Sequence, residues 1–127
     1  MGHPLIDRLS KDLGWPLLDS HAAMADYLGT EGAHVVFVPG DAARNLESAD
    51  VAVILPELRM AFQGAFDCAI CGDEIEAQVR ADAKVLKTPS LIFYRDGDCL
   101  GGIPKVRDWD DYVARIPQIL SRDTTPA

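Results

Sequence analysis

Two apolar runs, Ser90-Leu-Ile-Phe-Tyr94 and Cys99-Leu-Gly-Gly-Ile103, flank Arg95-Asp-Gly-Asp98. Asp-Gly between strand-forming runs is a strong hairpin signal, because the tight turn needs left-handed backbone angles at both central residues. The hairpin fixes one antiparallel pair near the end of the chain. Ahead of it, short β-branched runs alternate with segments of helical spacing. Such alternation gives parallel strands joined by crossover helices. A mixed sheet with helices on both faces, an α/β fold, satisfies both halves of the pattern.

The individual elements follow from local chemistry. Leu5, Ile6, Leu9 and Leu13 recur at helical spacing, with Pro4 in the first turn and Gly14 as the stop. Residues 15–18 form a short extended piece. Asp19 or Ser20 is the expected cap of a helix over 21–28 that stops at Gly29. His34-Val-Val-Phe-Val38 is too short for a helix and suits a strand buried on both faces. Residues 41–46 are expected as loop. Ser48 is the expected cap of a helix over about 49–62. Its inward stripe is Val51, Leu55, Leu58 and Phe62, widened by Ile54, and Pro56 should bend it. A strand over 65–70 comes next, then Asp73 capping a helix from Glu74 to about Ala83, with Ile75 and Val79 inward. A last helix from Asp108 or Trp109 to about Ser121 is expected to bury Trp109, Val113, Ile116 and Leu120, with Pro117 distorting its end. Trp15 is expected in the core or at its edge.

A chain of 127 residues suits one domain, here 1–127, with its first helix inside 1–14 and a loose tail at 123–127. Domains of this size bury roughly two-thirds of the unfolded surface and need no staples. The formal charge of -8 disfavours nucleic acid and anionic membrane as partners and favours basic ones. No apolar run approaches the ~20 residues of a membrane helix. The N-terminus carries no continuous apolar core of a secretory signal, and three cysteines is an odd number, so reduced thiols in the cytoplasm are expected.

Several chemistries can be weighed from spacing. Cys68 and Cys71 form a Cys-x-x-Cys, but in a predicted strand. Residues three apart on a strand point to opposite faces, with Cα atoms ~10 Å apart. A disulfide needs Cα atoms within about 7 Å. Cys68 then acts as a small core residue and Cys71 as a strand-end thiol, unless the strand stops short of Cys71. No second Cys or His pair has zinc-site spacing, since Cys99, His3, His21 and His34 are scattered. Ser48, Ser90 and His34 form no recognisable triad, and no Gly-x-Ser-x-Gly occurs. Pro39-Gly-Asp-Ala-Ala-Arg lacks the end of a phosphate loop.

The order of elements, with Pro56 in the second core helix, Thr88-Pro89 entering a strand and Phe-Tyr-Arg-Asp-Gly at the hairpin, resembles the thioredoxin superfamily over roughly residues 15–120. The whole chain resembles the HyaE/HupG family of hydrogenase expression proteins. The carrying segments are Val35-Val-Phe-Val-Pro-Gly-Asp41, Asp50-Val-Ala-Val-Ile-Leu-Pro-Glu-Leu58, Phe66-Asp-Cys-Ala-Ile70 and Lys87-Thr-Pro-Ser-Leu-Ile-Phe-Tyr-Arg-Asp-Gly97. The resemblance implies a thioredoxin-like fold without the redox pair and without a cofactor. It also implies a cis proline at Pro89, facing a groove. The implied role is that of a chaperone for the small subunit of membrane-bound nickel-iron uptake hydrogenase, binding its twin-arginine signal peptide before export. By the same likeness, the thiol positions of a redox thioredoxin fall near Ser48 and Val51, and neither is cysteine.

A peptide site would then draw on Thr88, Pro89, Glu47, Ser48, Asp50, Gly101 and Gly102. The residue before a proline is held extended, so Thr88 suits strand addition by a peptide. Gly101 and Gly102 would permit a bulge or a close backbone approach. Asp41, Glu47, Asp50, Asp73 and Glu74 would meet the guanidinium forks of the peptide. Helix capping explains many of these acids equally well. Two other readings stay open: a thiol oxidoreductase using Cys68 and Cys71, and an adaptor to another maturation protein.

Overall fold

The computed structural model describes residues 4–40, 47–85 and 87–121. Along the chain run α1 (Pro4–Lys11), β1 (Leu17–Leu18), α2 (His21–Leu28), β2 (Ala33–Val38), α3 (Glu47–Ala61), β3 (Phe66–Cys71), α4 (Glu76–Ala83), β4 (Ser90–Arg95), β5 (Asp98–Pro104) and α5 (Trp109–Leu120). The sheet order is β1-β3-β2-β4-β5. The first three strands are parallel, and β4 runs against both β2 and β5. This is the mixed sheet that the alternation and the hairpin together require. The expected loop at 41–46, including Asp41, and the tail at 123–127 lie outside the described residues.

β2 is buried along its whole length because both of its faces are covered. Val35 and Phe37 join Cys68, Ile70, Leu91 and Phe93 beneath α1, α3 and α5. Val36 and Val38 join Ala69, Cys71, Ile92 and Tyr94 beneath α2 and α4. The two layers follow from the two-residue period of the strands. Asp96 and Gly97, at φ 55° and 84°, make the two-residue turn of the hairpin, with Arg95 paired to Asp98. One irregularity interrupts the hairpin between Phe93 and Tyr94. Leu100 and Ile103 both enter the first layer, although residues three apart on an unbroken strand cannot share a face. Leu100 is the extra residue, without a register partner on β4, and it is followed by Gly101 at φ 152°.

Several expectations need correction. Ser48 lies inside α3, fully buried, and its Oγ donates to Pro39 O at 2.6 Å rather than capping the helix. α4 begins at Glu76, with Ile75 in the cap position and no side-chain cap bond, so Asp73 is not the cap. β3 includes Cys71. On α5, Trp109 and Val113 are 44% and 41% exposed, and the buried residues are Tyr112, Ile116 and Ile119. Tyr112 can enter the core because its hydroxyl accepts the Arg107 N–H at 3.1 Å. Leu13 falls past the end of α1 and stays 43% exposed. No helix among the described residues is long and apolar enough to cross a membrane.

Candidate functional site

At one pole of the molecule, the end of β2, the start of α3, the start of β4 and the end of β5 converge. Gly40 follows β2 at φ 71°, and a Cβ there would stand 2.6 Å from Thr88 Cβ. Only glycine lets the two segments approach this closely. The Thr88–Pro89 bond is cis, and Pro89 is buried. Pro89 O accepts the Lys105 N–H at 2.6 Å. The Lys105 ammonium then reaches Glu47, Nζ to Oε2 at 2.9 Å, while Glu47 Oε1 accepts the Val106 N–H at 3.0 Å. Lys105 therefore links the proline to the first turn of α3. The hydrogen bonds from Lys105 and Val106 hold the Glu47 carboxyl below its ordinary range.

Of the residues singled out from sequence, Thr88, Pro89 and Glu47 come together here. Asp50 stands exposed on the first turn of α3, with no ion pair among the described residues. Ser48 turns inward to Pro39 and offers nothing to the surface. Gly101 and Gly102 do not join the site. They pair with Phe93 and Ile92, three or more residues along β4 from Pro89, or roughly 10 Å at strand spacing. Gly101 adjoins the bulge at Leu100. A Cβ on Gly102 would meet Val85 Cγ2 at 2.8 Å. Asp73 and Glu74 are exposed on the same pole past β3, two strands away from β4.

The thiols are arranged differently from a reactive pair. Cys68 belongs to the layer under α1, α3 and α5, and Cys71 to the layer under α2 and α4. Each is 2% exposed, and neither is in a disulfide. Burial pushes each thiol up to about 12, where a nucleophilic cysteine needs a lowered value. In the first turns of α3, Ser48 and Val51 are buried oxygen and hydrocarbon. Among the described residues no group of three His, Cys, Asp or Glu side chains is placed to hold a metal ion.

Sequence reasoning left out one polar cluster, at the opposite pole. His34 is fully buried, with Nδ1 2.5 Å from Asp67 Oδ1 and Nε2 2.9 Å from Thr30 O. Tyr27 donates its hydroxyl to the same Asp67 oxygen at 2.6 Å, and its ring lies 4.7 Å from the imidazole. The available signal was a polar residue in each of two apolar strands. His34 and Asp67 are register partners.

Comparison with known proteins gives a consistent result. The family model described as hydrogenase-1 expression protein HyaE matches residues 5–112. The hydrogenase expression/formation protein HupG of Rhodobacter capsulatus is 59% identical over 119 residues, covering 94% of this chain and 86% of that one. The hydrogenase expression/formation protein HoxO of Azotobacter vinelandii is 43% identical over 122 residues, covering 95% and 80%. Among solved structures, the Rhodopseudomonas palustris protein assigned as hydrogenase expression/formation protein HupG superposes with TM-score 0.59 at 37% identity, over 84% of this chain and 95% of that one. A thioredoxin variant from Halobacterium salinarum superposes with TM-score 0.66 at 14% identity, over 87% and 93%, which shows that the fold is thioredoxin-like.

Proposed function

The chain belongs to the HyaE family of hydrogenase expression proteins, and on that premise we propose that it is a non-catalytic chaperone in hydrogenase maturation. Its client is the precursor of the nickel-iron uptake hydrogenase small subunit, held in the cytoplasm through its twin-arginine signal peptide. The observation that carries the reading is the separation of Cys68 and Cys71 onto opposite faces of the sheet, each buried. A thioredoxin-like scaffold with its thiols so placed has no exposed pair to exchange disulfides.

The pole around Pro89 supports a binding role. An acidic chain draws basic partners, and Asp50 is exposed beside the Glu47–Lys105–Pro89 link. Glu47 is already occupied by Lys105 and Val106, so an arginine of the client would have to displace Lys105 or meet Asp50 instead. Exposed ion pairs contribute only ~0–1 kcal/mol each, so the apolar part of the peptide must supply much of the affinity.

The test is a titration of the purified chain with the small-subunit precursor, with and without its signal peptide. Binding that needs the signal peptide supports the reading. Equal binding without it would move the contact to the mature subunit, and no binding to either would favour an adaptor role.

A further inference from the structure

Leu13, Leu17, Val53, Met60, Trp109 and Val113 are large apolar side chains that stand exposed among the described residues. All six lie on the side of the sheet covered by α1, α3 and α5. Leu17 joins them because its neighbour Leu18 points into the other layer. On the same side, α1 and α3 leave a shallow groove between Leu5, Leu9 and Leu13 on one wall and Ala52, Val53 and Pro56 on the other. Its volume is ≈ 100 Å³. That is well below the ~300–1,000 Å³ of small-molecule sites, and it suits one or two aliphatic side chains of a peptide.

The lining holds one carboxylate, Glu57, and one cation, Arg8, and α3 carries a second carboxylate, Asp50, beyond the groove. Asp50, Val53, Glu57 and Met60 follow one another at helical spacing along one exposed stripe of α3, carboxylate alternating with hydrocarbon. Neither Asp50 nor Glu57 has an ion pair among the described residues. The cation on the opposite wall, Arg8, is engaged with Asp12 at 3.9 Å. Pro56 has no N–H, so the Ala52 carbonyl lacks the donor that an unbroken helix would give it, and both residues line the groove. Hydrocarbon and the two carboxylates on this stripe complement a segment in which arginine or lysine adjoins an apolar run.

We infer that the α1–α3 groove seats the apolar run of a basic client peptide, with its cations on Asp50 and Glu57. The inference rests on the reading of the chain as a peptide-holding chaperone and adds where the apolar part lies. From Asp50 to Met60 the stripe is ~15 Å long, which matches about ten residues of helix laid along α3 with one or two of its side chains in the groove.

The experiment is an NMR titration of the isotope-labelled chain with a synthetic peptide of two arginines followed by a leucine- and alanine-rich run. Shifts on Leu9, Leu13, Val53 and Glu57 are expected. Val53→Asp should weaken binding about tenfold and Glu57→Gln about threefold, while Asp26→Asn on α2 leaves affinity unchanged. A peptide that binds with shifts confined to Thr88, Pro89 and residues 105–107, and is indifferent to Val53→Asp, overturns the groove and leaves the chaperone reading standing. Failure of both peptide and precursor to bind overturns the two together. Groove shifts that track the chain's own concentration, with a dimer in sedimentation, would make a second copy the occupant and contradict the inference.

Discussion

Cys68 and Cys71 are separated by the sheet that carries them: one thiol packs under α1, α3 and α5, the other under α2 and α4. No rotamer change brings them together, because residues three apart on a strand leave it on opposite sides. Pairing them would require β3 to release its register with both β1 and β2.

Thiol reactivity should therefore be uneven. We expect a chromogenic disulfide to label Cys99, which is exposed, in the native protein, and to label Cys68 and Cys71 only on unfolding. The sign of the pH dependence follows from the raised values. Both buried groups stay protonated in the fold where the unfolded chain ionises near 9, so their contribution to stability is full below about 9 and is lost as pH climbs towards about 12. Denaturant midpoints across that range measure it. A midpoint unchanged by Cys68→Ala and Cys71→Ala at every pH would contradict the assignment.

Gly40→Ala should cost about 1–3 kcal/mol, since it combines a left-handed backbone with a clash against Thr88. Amide shifts at Thr88 and Lys105 should report the displacement. Gly64→Ala, also at positive φ (73°) but with open space around it, should cost about 1–2 kcal/mol and leave those amides alone.

The Glu47 carboxylate should titrate below an ordinary glutamate. A carboxyl held low by its partners contributes above the unfolded value, and the contribution disappears as pH falls through the folded one. Carbon-detected NMR of the side chain reads the titration directly. Glu47→Gln should speed amide exchange at Val106, and an unchanged exchange rate there would refute the bridge.

His34→Ala should destabilise the chain by about 2–4 kcal/mol, because it leaves Asp67 and Thr30 without their buried partner. Tyr27→Phe removes one hydrogen bond to Asp67 and should cost about 1 kcal/mol. Thermal melts of the two variants check the order.

The hairpin and the two-layered sheet were legible because their signals are local: Asp96-Gly97 permits one tight turn, and short β-branched runs exclude helix. The site was legible only in part. Serine is favoured at helix caps, so Ser48 looked like one, but Pro39 O across the corner claims its hydroxyl inside the helix. On α5, the stripes through Trp109 and through Tyr112 share Ile116, and spacing alone does not choose between them. The Arg107 N–H decides, by satisfying the Tyr112 hydroxyl. For Gly101 and Gly102 the sequence left a bulge and a close backbone approach both open, and the register puts the bulge at Leu100, next to Gly101. Leu13 looked like core because its spacing fits, yet α1 ends at Lys11 and leaves it on the groove.

The most direct measurement uses a thiol-free chain, Cys68→Ala, Cys71→Ala and Cys99→Ala together, assayed for capture of the small-subunit precursor beside an insulin-reduction control. The account predicts precursor affinity within about twofold of the parent, lost when the signal peptide is removed, and no insulin reduction by either chain. Insulin reduction by the parent that disappears in the thiol-free chain, together with lost precursor capture, would contradict it.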